Sequence, residues 1–314
     1  MEGAIDDETV EIALIRPGSM AAAGGGRKRL RVNGVPRRST ALAAHLRVVV
    51  FAPEDMLLVA GSPTLRRSVL DRLAASLYPA YSSDLATYMR ALQQRNGLLR
   101  AIREEEATRE DLRYWDQPFL ESGSAVVAAR LGLLEALAAP LAAAHAEIAP
   151  EEAVRGALGL QYLTNAPANS GETPRDALGR RLVETAEKEA WNGTTLVGPH
   201  RDDFAFVLEG RDLAAFASRG QQRTAILALK LAELDLLADR DGRPPLLLLD
   251  DVFSELDPAR RAHLVRRIAA LPQAFVTTTT LDDLDPGLRA IATSWEVRAD
   301  ADGARLSGPR AAVT

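Results

Sequence analysis

Hydrophobic positions change their spacing along this chain, and each change predicts a different kind of element. Near the start, Glu11-Ile12-Ala13-Leu14-Ile15 and Leu30-Arg31-Val32 are short apolar runs that predict strands. Gly24-Gly25-Gly26 predicts a turn between them, and Asn33-Gly34 is a strong hairpin signal. Arg47 to Phe51 predicts another strand, ending at Pro53, and Thr64 to Leu77 predicts a helix. From Pro79 to about Ala149 the spacing becomes helical, with Leu85, Met89 and Leu92 in one stretch and Leu131, Leu134, Leu137 and Leu141 in another. Pro118 is expected to separate the two, giving a helical arm or hairpin.

Thr164 to Pro174, rich in Asn, Pro, Ser and Gly, predicts a loop. Beyond Trp191 strands alternate with helices. Thr194–Val197, Phe204–Leu208, Leu246–Leu249 and Ala274–Thr277 are expected as strands, and Gln221–Ala238 and Pro258–Leu271 as helices. Apolar strands joined through helices predict a parallel sheet covered on both faces. No repeat or low-complexity tract interrupts the pattern.

Composition narrows the class. With 314 residues and 47% hydrophobic content, the chain has material for two domains or one large α/β body with an insertion. No apolar run is expected to cross a membrane, and the acidic start is unlike a signal peptide. The absence of cysteine excludes disulfides and thiolate metal sites and suits a cytoplasmic location. Four histidines, none at a metal-ligand spacing, argue against zinc. A net charge of −5 argues against a protein that coats nucleic acid generally, yet leaves room for a local arginine patch. Of the 38 basic residues only Lys28, Lys188 and Lys230 are lysine, a bias that a GC-rich genome explains better than phosphate recognition.

Two segments carry candidate chemistry. Leu246 to Leu249 buries a strand, and Asp250 and Asp251 follow at its carboxyl end, where open α/β sheets bind ligands. One carboxylate there can hold Mg²⁺ and its neighbour can act on a water aimed at phosphate. The plainer reading is a strand followed by a polar turn, with Asp257 as N-cap and Pro258 at the first helical position. The second segment, Ser218-Arg219-Gly220-Gln221-Gln222-Arg223, opens a long helix. A hydroxyl, a glycine and free N–H groups at a helix start form an anion site, and Arg223 adds charge. Taken alone, the segment is better read as a Ser N-cap with a polar first turn.

Together the two segments resemble the ABC-type ATPase heads of the RecF and SMC group, in which a Ser-x-Gly-Gln signature precedes a Walker B strand and a D-loop. The resemblance to the RecF family is closer. Gly198-Pro199-His200-Arg201-Asp202-Asp203 is similar to a distinctive RecF segment. So is the stretch from Pro53-Glu54-Asp55 through Gly61-Ser62-Pro63 to Arg66-Arg67 and Asp71, although Val69 stands where an aromatic is usual. Four motifs in order span roughly Arg29 to Asp285. The implied fold is an ABC/SMC-type α/β ATPase head, with lobe I incomplete, and an inserted helical arm. The implied boundaries are 1–77 for partial lobe I, 78–190 for the arm and 191–314 for the rest of the head.

The resemblance also implies roles. Asp250 becomes the Mg²⁺-associated Walker B acid and Asp251 the catalytic acid. Ser218 and Gly220, with Gln221, Gln222 and Arg223, form the signature that meets a nucleotide held by a second subunit. Ser254 and Asp257 form the D-loop, and Thr277 and Thr278 occupy the switch region, where plain β-propensity is the alternative reading. His200 and Arg201 receive no chemical role; a surface turn in which Asp202 and Asp203 pair with Arg201 is the simpler expectation. Arg66 and Arg67 are expected either to touch nucleotide or DNA or to lie on a solvated helix face. ATP and Mg²⁺ are the implied cofactors. Single-stranded and gapped double-stranded DNA, RecO- and RecR-type proteins and a second copy of the chain are the implied partners.

One part of the expected site is missing from the sequence: no Gly-Lys pair occurs anywhere, so there is no P-loop. In the RecF family that loop lies near the N-terminus, which implies that Met1 falls where the first sheet is already under way. The expectation is a complete ATPase whose start lies upstream, with a P-loop-less form as the other reading. In the second case the chain is a non-hydrolysing module that binds DNA or supplies a signature face to a partner. A transporter subunit is disfavoured by the helical insertion and the Gly198–Asp203 segment.

Overall fold

The computed structural model describes residues 9–14, 28–37, 46–281, 284–300 and 303–310. The expected Gly24–Gly26 turn lies outside the described residues. The chain forms two compact units, Met1–Val48 and Val49–Thr314.

In the first unit, β1 (Val10–Leu14), β2 (Lys28–Val32) and β3 (Val35–Arg37) form an antiparallel sheet in that order. Val32 faces Val35 across the Asn33-Gly34 turn, and both turn residues have positive φ (52° and 77°). The hairpin expected there is present.

The second unit is built around helices. After β4 (Val48–Phe51) and a 3-10 turn at Pro53–Leu57, α1 (Pro63–Leu77) is capped by Ser62, whose hydroxyl accepts from the Leu65 N–H. Next come α2 (Tyr81–Arg103), α3 (Arg113–Ile148), the single turn α4 (Pro150–Ala153), β5 (Gly159–Leu163) and α5 (Pro174–Asn192). The break between the long helices falls at Glu104–Thr108, where Glu105 takes φ of 62°, and not at Pro118. Pro118 and Pro140 both lie inside α3. By length and composition α3 is apolar enough to cross a membrane, contrary to the sequence expectation. Alanine and leucine raise its hydropathy, and Val126, Leu133, Leu137 and Leu141 pack into the main core.

Three strands follow a different rule from the one expected. β5, β6 (Asp203–Leu208) and β7 (Arg211–Asp212) form an antiparallel sheet, with Phe204, Phe206 and Leu208 buried in alternation. Thr194–Val197 forms no strand; it is held by side chains, because its Thr195 and Leu196 N–H groups are taken by Asn96 and Glu189. The single-turn α6 (Leu213–Phe216) leads to α7 (Arg219–Asp241), β8 (Leu246–Asp250), α8 (Pro258–Ala269) and β9 (Ala274–Thr277). The order β4-β8-β9 makes the second sheet, with β8 and β9 parallel, as expected of strands joined through a helix. The short helix α9 (Pro286–Ile291) and the antiparallel hairpin of β10 (Ser294–Asp300) and β11 (Gly303–Arg310) complete the unit.

A central seam of the second unit runs where α3 packs on α7. Ile226, Leu227 and Ala228 of α7 join Leu133 and Leu141 of α3 and Leu247 and Leu249 of β8 in one cluster. Burying a leucine side chain contributes about 1.5–3 kcal/mol, so this seam fixes α7 against the strand that carries the acids.

Candidate nucleotide site

The acids stand where the parallel strands end. The β8–β9 register places Asp250 opposite Thr277, and the Thr277 hydroxyl donates to Asp250 Oδ1 at 2.6 Å. The Asp251 N–H lies 3.2 Å from both the carbonyl and the hydroxyl oxygen of Thr277. Asp251 adopts φ of 49°, a left-handed conformation that Asp tolerates better than most residues. Its carbonyl accepts from the Ser254 hydroxyl at 2.9 Å, and its Oδ1 is buried with no hydrogen-bond partner among the described residues. Among the described residues no basic side chain pairs with either carboxylate.

Ser218 caps α7. Its hydroxyl accepts from the Gln221 N–H at 3.2 Å, and Gln221 Oε1 accepts from the Ser218 N–H at 3.0 Å. Gln222 donates to the Ala217 carbonyl at 3.3 Å. A Cβ on Gly220 meets only ordinary contacts, Ser218 Oγ at 3.7 Å and an Arg260 nitrogen at 3.8 Å. The fold itself therefore does not demand glycine here. Asp257 caps α8 by accepting from the Arg260 N–H at 3.0 Å, as the plainer reading expected. Burial opposes ionisation of Asp257, but that N–H and the Arg260 guanidinium hold its carboxyl below the usual range. Thr278 is committed to a local turn, with its hydroxyl donating to the Thr280 carbonyl at 2.7 Å.

Arg260 and Thr224 were not foreseen. Arg260 pairs with Asp257 and donates through Nε to Thr224 Oγ1 at 2.8 Å, and Thr224 Oγ1 lies 3.1 Å from the Gly220 carbonyl. This chain of bonds ties the N-cap of α8 to the first turn of α7. Contacts between residues 36 positions apart leave no periodic signal in a sequence.

The other two motifs form a structural hub. Arg66 makes a bidentate pair with Asp203 at 2.8 and 2.7 Å and also donates to the Leu58 and Gly61 carbonyls, so it is no free nucleotide or DNA contact. Arg67 donates to the Asp202 carbonyl at 2.9 Å. Asp202 is buried, accepting from Tyr162 at 2.8 Å, and does not pair with Arg201 at the surface. Burial pushes the Asp202 carboxyl above the usual range against the pull of that hydroxyl. Arg201 instead donates to the Thr195 carbonyl at 2.9 Å. Tyr88 and His200 Nδ1 are 2.5 Å apart, and burial pulls the His200 imidazole down to about 4. Gly198, at φ of 127°, presses against this pair; a Cβ there comes within 2.5 Å of the Tyr88 hydroxyl.

Two arginines beneath the hub are fully engaged. Arg130, 2% exposed, pairs with Asp71 at 2.7 Å and donates to the Pro199 carbonyl at 2.7 Å. Arg95 is shared by Asp116, Glu189 and Thr195. Asp55, from the first motif, reaches Lys230 in the middle of α7 at 3.2 Å.

A parallel sheet with acids at its carboxyl end, a capped helix beside it and long helices packed on both define an α/β head with the ABC/SMC-type ATPase fold. No family model matches the chain. It is 39% identical over 297 residues to the DNA replication and repair protein RecF of Herpetosiphon aurantiacus, covering 92% of this chain and 75% of that protein. It is 40% identical over 263 residues to RecF of Symbiobacterium thermophilum, covering 82% and 68%. The solved structure of the recombination mediator protein RecF-ATPrS aligns with a TM-score of 0.74 at 34% identity, over 83% of this chain and 70% of that one. The RecF-ATP structure aligns at 0.72 and 33%, over 82% and 69%. The chain belongs to the RecF family of DNA replication and repair proteins.

Proposed function

We propose that the chain is a RecF-type DNA-binding ATPase of recombinational repair and replication-gap processing, acting in the cytoplasm. In this reading it dimerises on single-stranded and gapped double-stranded DNA with ATP bound, and loads a recombinase with RecO- and RecR-type proteins. The names of its relatives, and the ATP and ATPrS of the aligned RecF structures, support the reading.

The observation that carries it is the uncompensated acid pair. Asp250 and Asp251 stand at a strand end with no cation beside them among the described residues, and one buried oxygen of Asp251 has no donor. Hard carboxylate oxygens suit Mg²⁺, so the donor set fits. Mg²⁺·ATP, when bound, would supply the phosphoanhydride bond and the charge that polarises it. Asp250 would hold the cation, and the Asp251 carboxylate would orient a water and take up its proton. Ser218 and Gly220, with Gln221, Gln222 and Arg223, offer helix-start N–H and hydroxyl groups to the γ-phosphate on a second subunit. Ser254 and Asp257 form the D-loop across that interface, and Thr277 and Thr278 form the switch. Residues 1–77 and 191–314 belong to the head and 78–190 to the arm.

In a form of the chain that carries a P-loop, Asp251→Asn is expected to bind ATP and dimerise while hydrolysis falls at least a hundredfold, a range typical of losing a general base. Unchanged turnover overturns the role given to Asp251. The lack of any Gly-Lys pair in the 314 residues favours a second reading, a module that supplies only its signature face. Purified 1–314 is then expected to show negligible ATPase activity alone, and robust Mg²⁺-dependent turnover refutes that.

A further inference from the structure

The outer face of α2 carries a charge pattern that nothing above uses. Between Asp84 and Glu104 the helix contains no acidic residue, although the chain as a whole is at −5. Arg90 and Arg100 are exposed on it, and neither has a hydrogen-bond or ion-pair partner among the described residues. The two are ten positions apart, about 15 Å along the axis. Between them lie exposed Gln93 and Gln94, and Asn96, whose carbonyl oxygen is used by the Thr195 N–H while its amide donors stay available. Arg90, Gln93, Asn96 and Arg100 line a shallow groove of about 610 Å³ together with Ala86, Met89 and Leu92.

Two further features mark the face. Gly97 sits mid-helix with nothing within 4 Å of a built Cβ, so packing does not explain a residue that weakens a helix. It leaves the backbone open to close approach from outside. Acids on the helices packed against α2 are paired elsewhere: Glu189 and Asp116 with buried Arg95, Glu187 with Arg109, and Glu184 with Arg180 and Arg181. The groove is thus a strip of guanidinium and amide donors with no carboxylate to neutralise it.

We propose that this strip on α2 is a contact surface for the sugar–phosphate backbone of DNA. Phosphate oxygens are singly charged, regularly spaced acceptors, and free arginines flanked by amides recognise them without reading sequence. The inference rests on the reading of the chain as DNA-binding and assigns that binding a place.

The test is fluorescence anisotropy of the 314-residue chain with a labelled gapped duplex, titrated across salt concentrations. Arg90→Ala/Arg100→Ala is expected to weaken binding about tenfold at 0.1 M salt and to lower the slope of log K against log salt by about 2. Arg90→Lys/Arg100→Lys should restore the slope, and Gln93→Glu, which replaces an amide donor with a negative charge, should weaken binding several-fold. Unaltered affinity and slope in the alanine variant, with wild-type binding intact, overturn the surface and leave the DNA-binding reading standing. Loss of self-association with DNA affinity unaltered overturns it in favour of a second copy of the chain. A wild-type chain that binds no DNA overturns both.

Discussion

The chain contains the same dipeptide at two strand boundaries, and the two copies have opposite surroundings. Asp202–Asp203 enters β6 at its amino end, and Asp250–Asp251 leaves β8 at its carboxyl end. Each pair holds one buried carboxylate oxygen with no hydrogen-bond partner, Asp202 Oδ1 and Asp251 Oδ1. Around the first pair stand Arg66 in bidentate contact, Arg67 on the Asp202 carbonyl, the Tyr162 hydroxyl and, on the neighbouring Pro199 carbonyl, Arg130. Around the second, the Thr277 hydroxyl donates to Asp250 and the Thr277 oxygens accept from the Asp251 N–H, with no cation among the described residues. Compensated acids hold a fold together, and uncompensated acids at a strand end are poised for a ligand of opposite charge.

The largest effect that tests this contrast falls on the hub. Arg130→Met removes the buried cation and leaves Asp71 and the Pro199 carbonyl without it, so urea denaturation should show a loss of about 3 kcal/mol or more. Asp250→Ala, by contrast, removes no ion pair and should cost under about 1 kcal/mol. Equal losses would erase the distinction between the two pairs.

Acid sensitivity belongs to the hub as well. His200 has its folded value pulled down to about 4 by burial, against the help of the Thr195 carbonyl. The unfolded chain binds the proton first, so this contribution is complete above about pH 6.5 and is lost as pH falls towards 4. The loss is on the order of 3 kcal/mol. His145 and His263, both lowered by burial, add the same sign. Asp202 acts the other way, because a raised carboxyl stabilises at low pH and loses that contribution as pH rises through its folded value. Denaturant midpoints from pH 7 to 4 should therefore fall steeply, and His200→Gln should flatten part of that limb. An equally steep limb in the variant would detach the hub from the acid response.

How much of this was legible follows from the range of the interactions. Local chemistry was readable: Ser218 and Asp257 cap helices with partners three residues away, and the Leu246–Leu249 run is a buried strand. The family motifs identified the right segments, but their jobs were not readable. Arg66 meets Asp203 across 137 positions and Arg130 meets Pro199 across 69, and such pairs leave no period. Pro118 misled because α3 continues through it, as through Pro140, and the chain breaks instead at Glu104–Thr108, where Glu105 takes a left-handed φ. Thr194–Val197 misled because its apolar pattern serves a segment whose N–H groups are met by side chains.

The smallest expected effect separates the two pairs most sharply. Asp251 combines a left-handed φ of 49° with a buried oxygen that receives no donor, so its carboxylate contributes little to the fold. Asparagine suits that φ at least as well and buries no charge. Asp251→Asn should leave stability unchanged or raise it by up to about 1 kcal/mol, as expected where a functional group is held against the preference of the fold. Asp202→Asn puts an amide where Tyr162 donates to a carboxylate, and should cost about 1–2 kcal/mol. Paired urea titrations decide between them. If Asp251→Asn proves the more destabilising of the two, the strand-end pair is structural and the site must be sought elsewhere on the head.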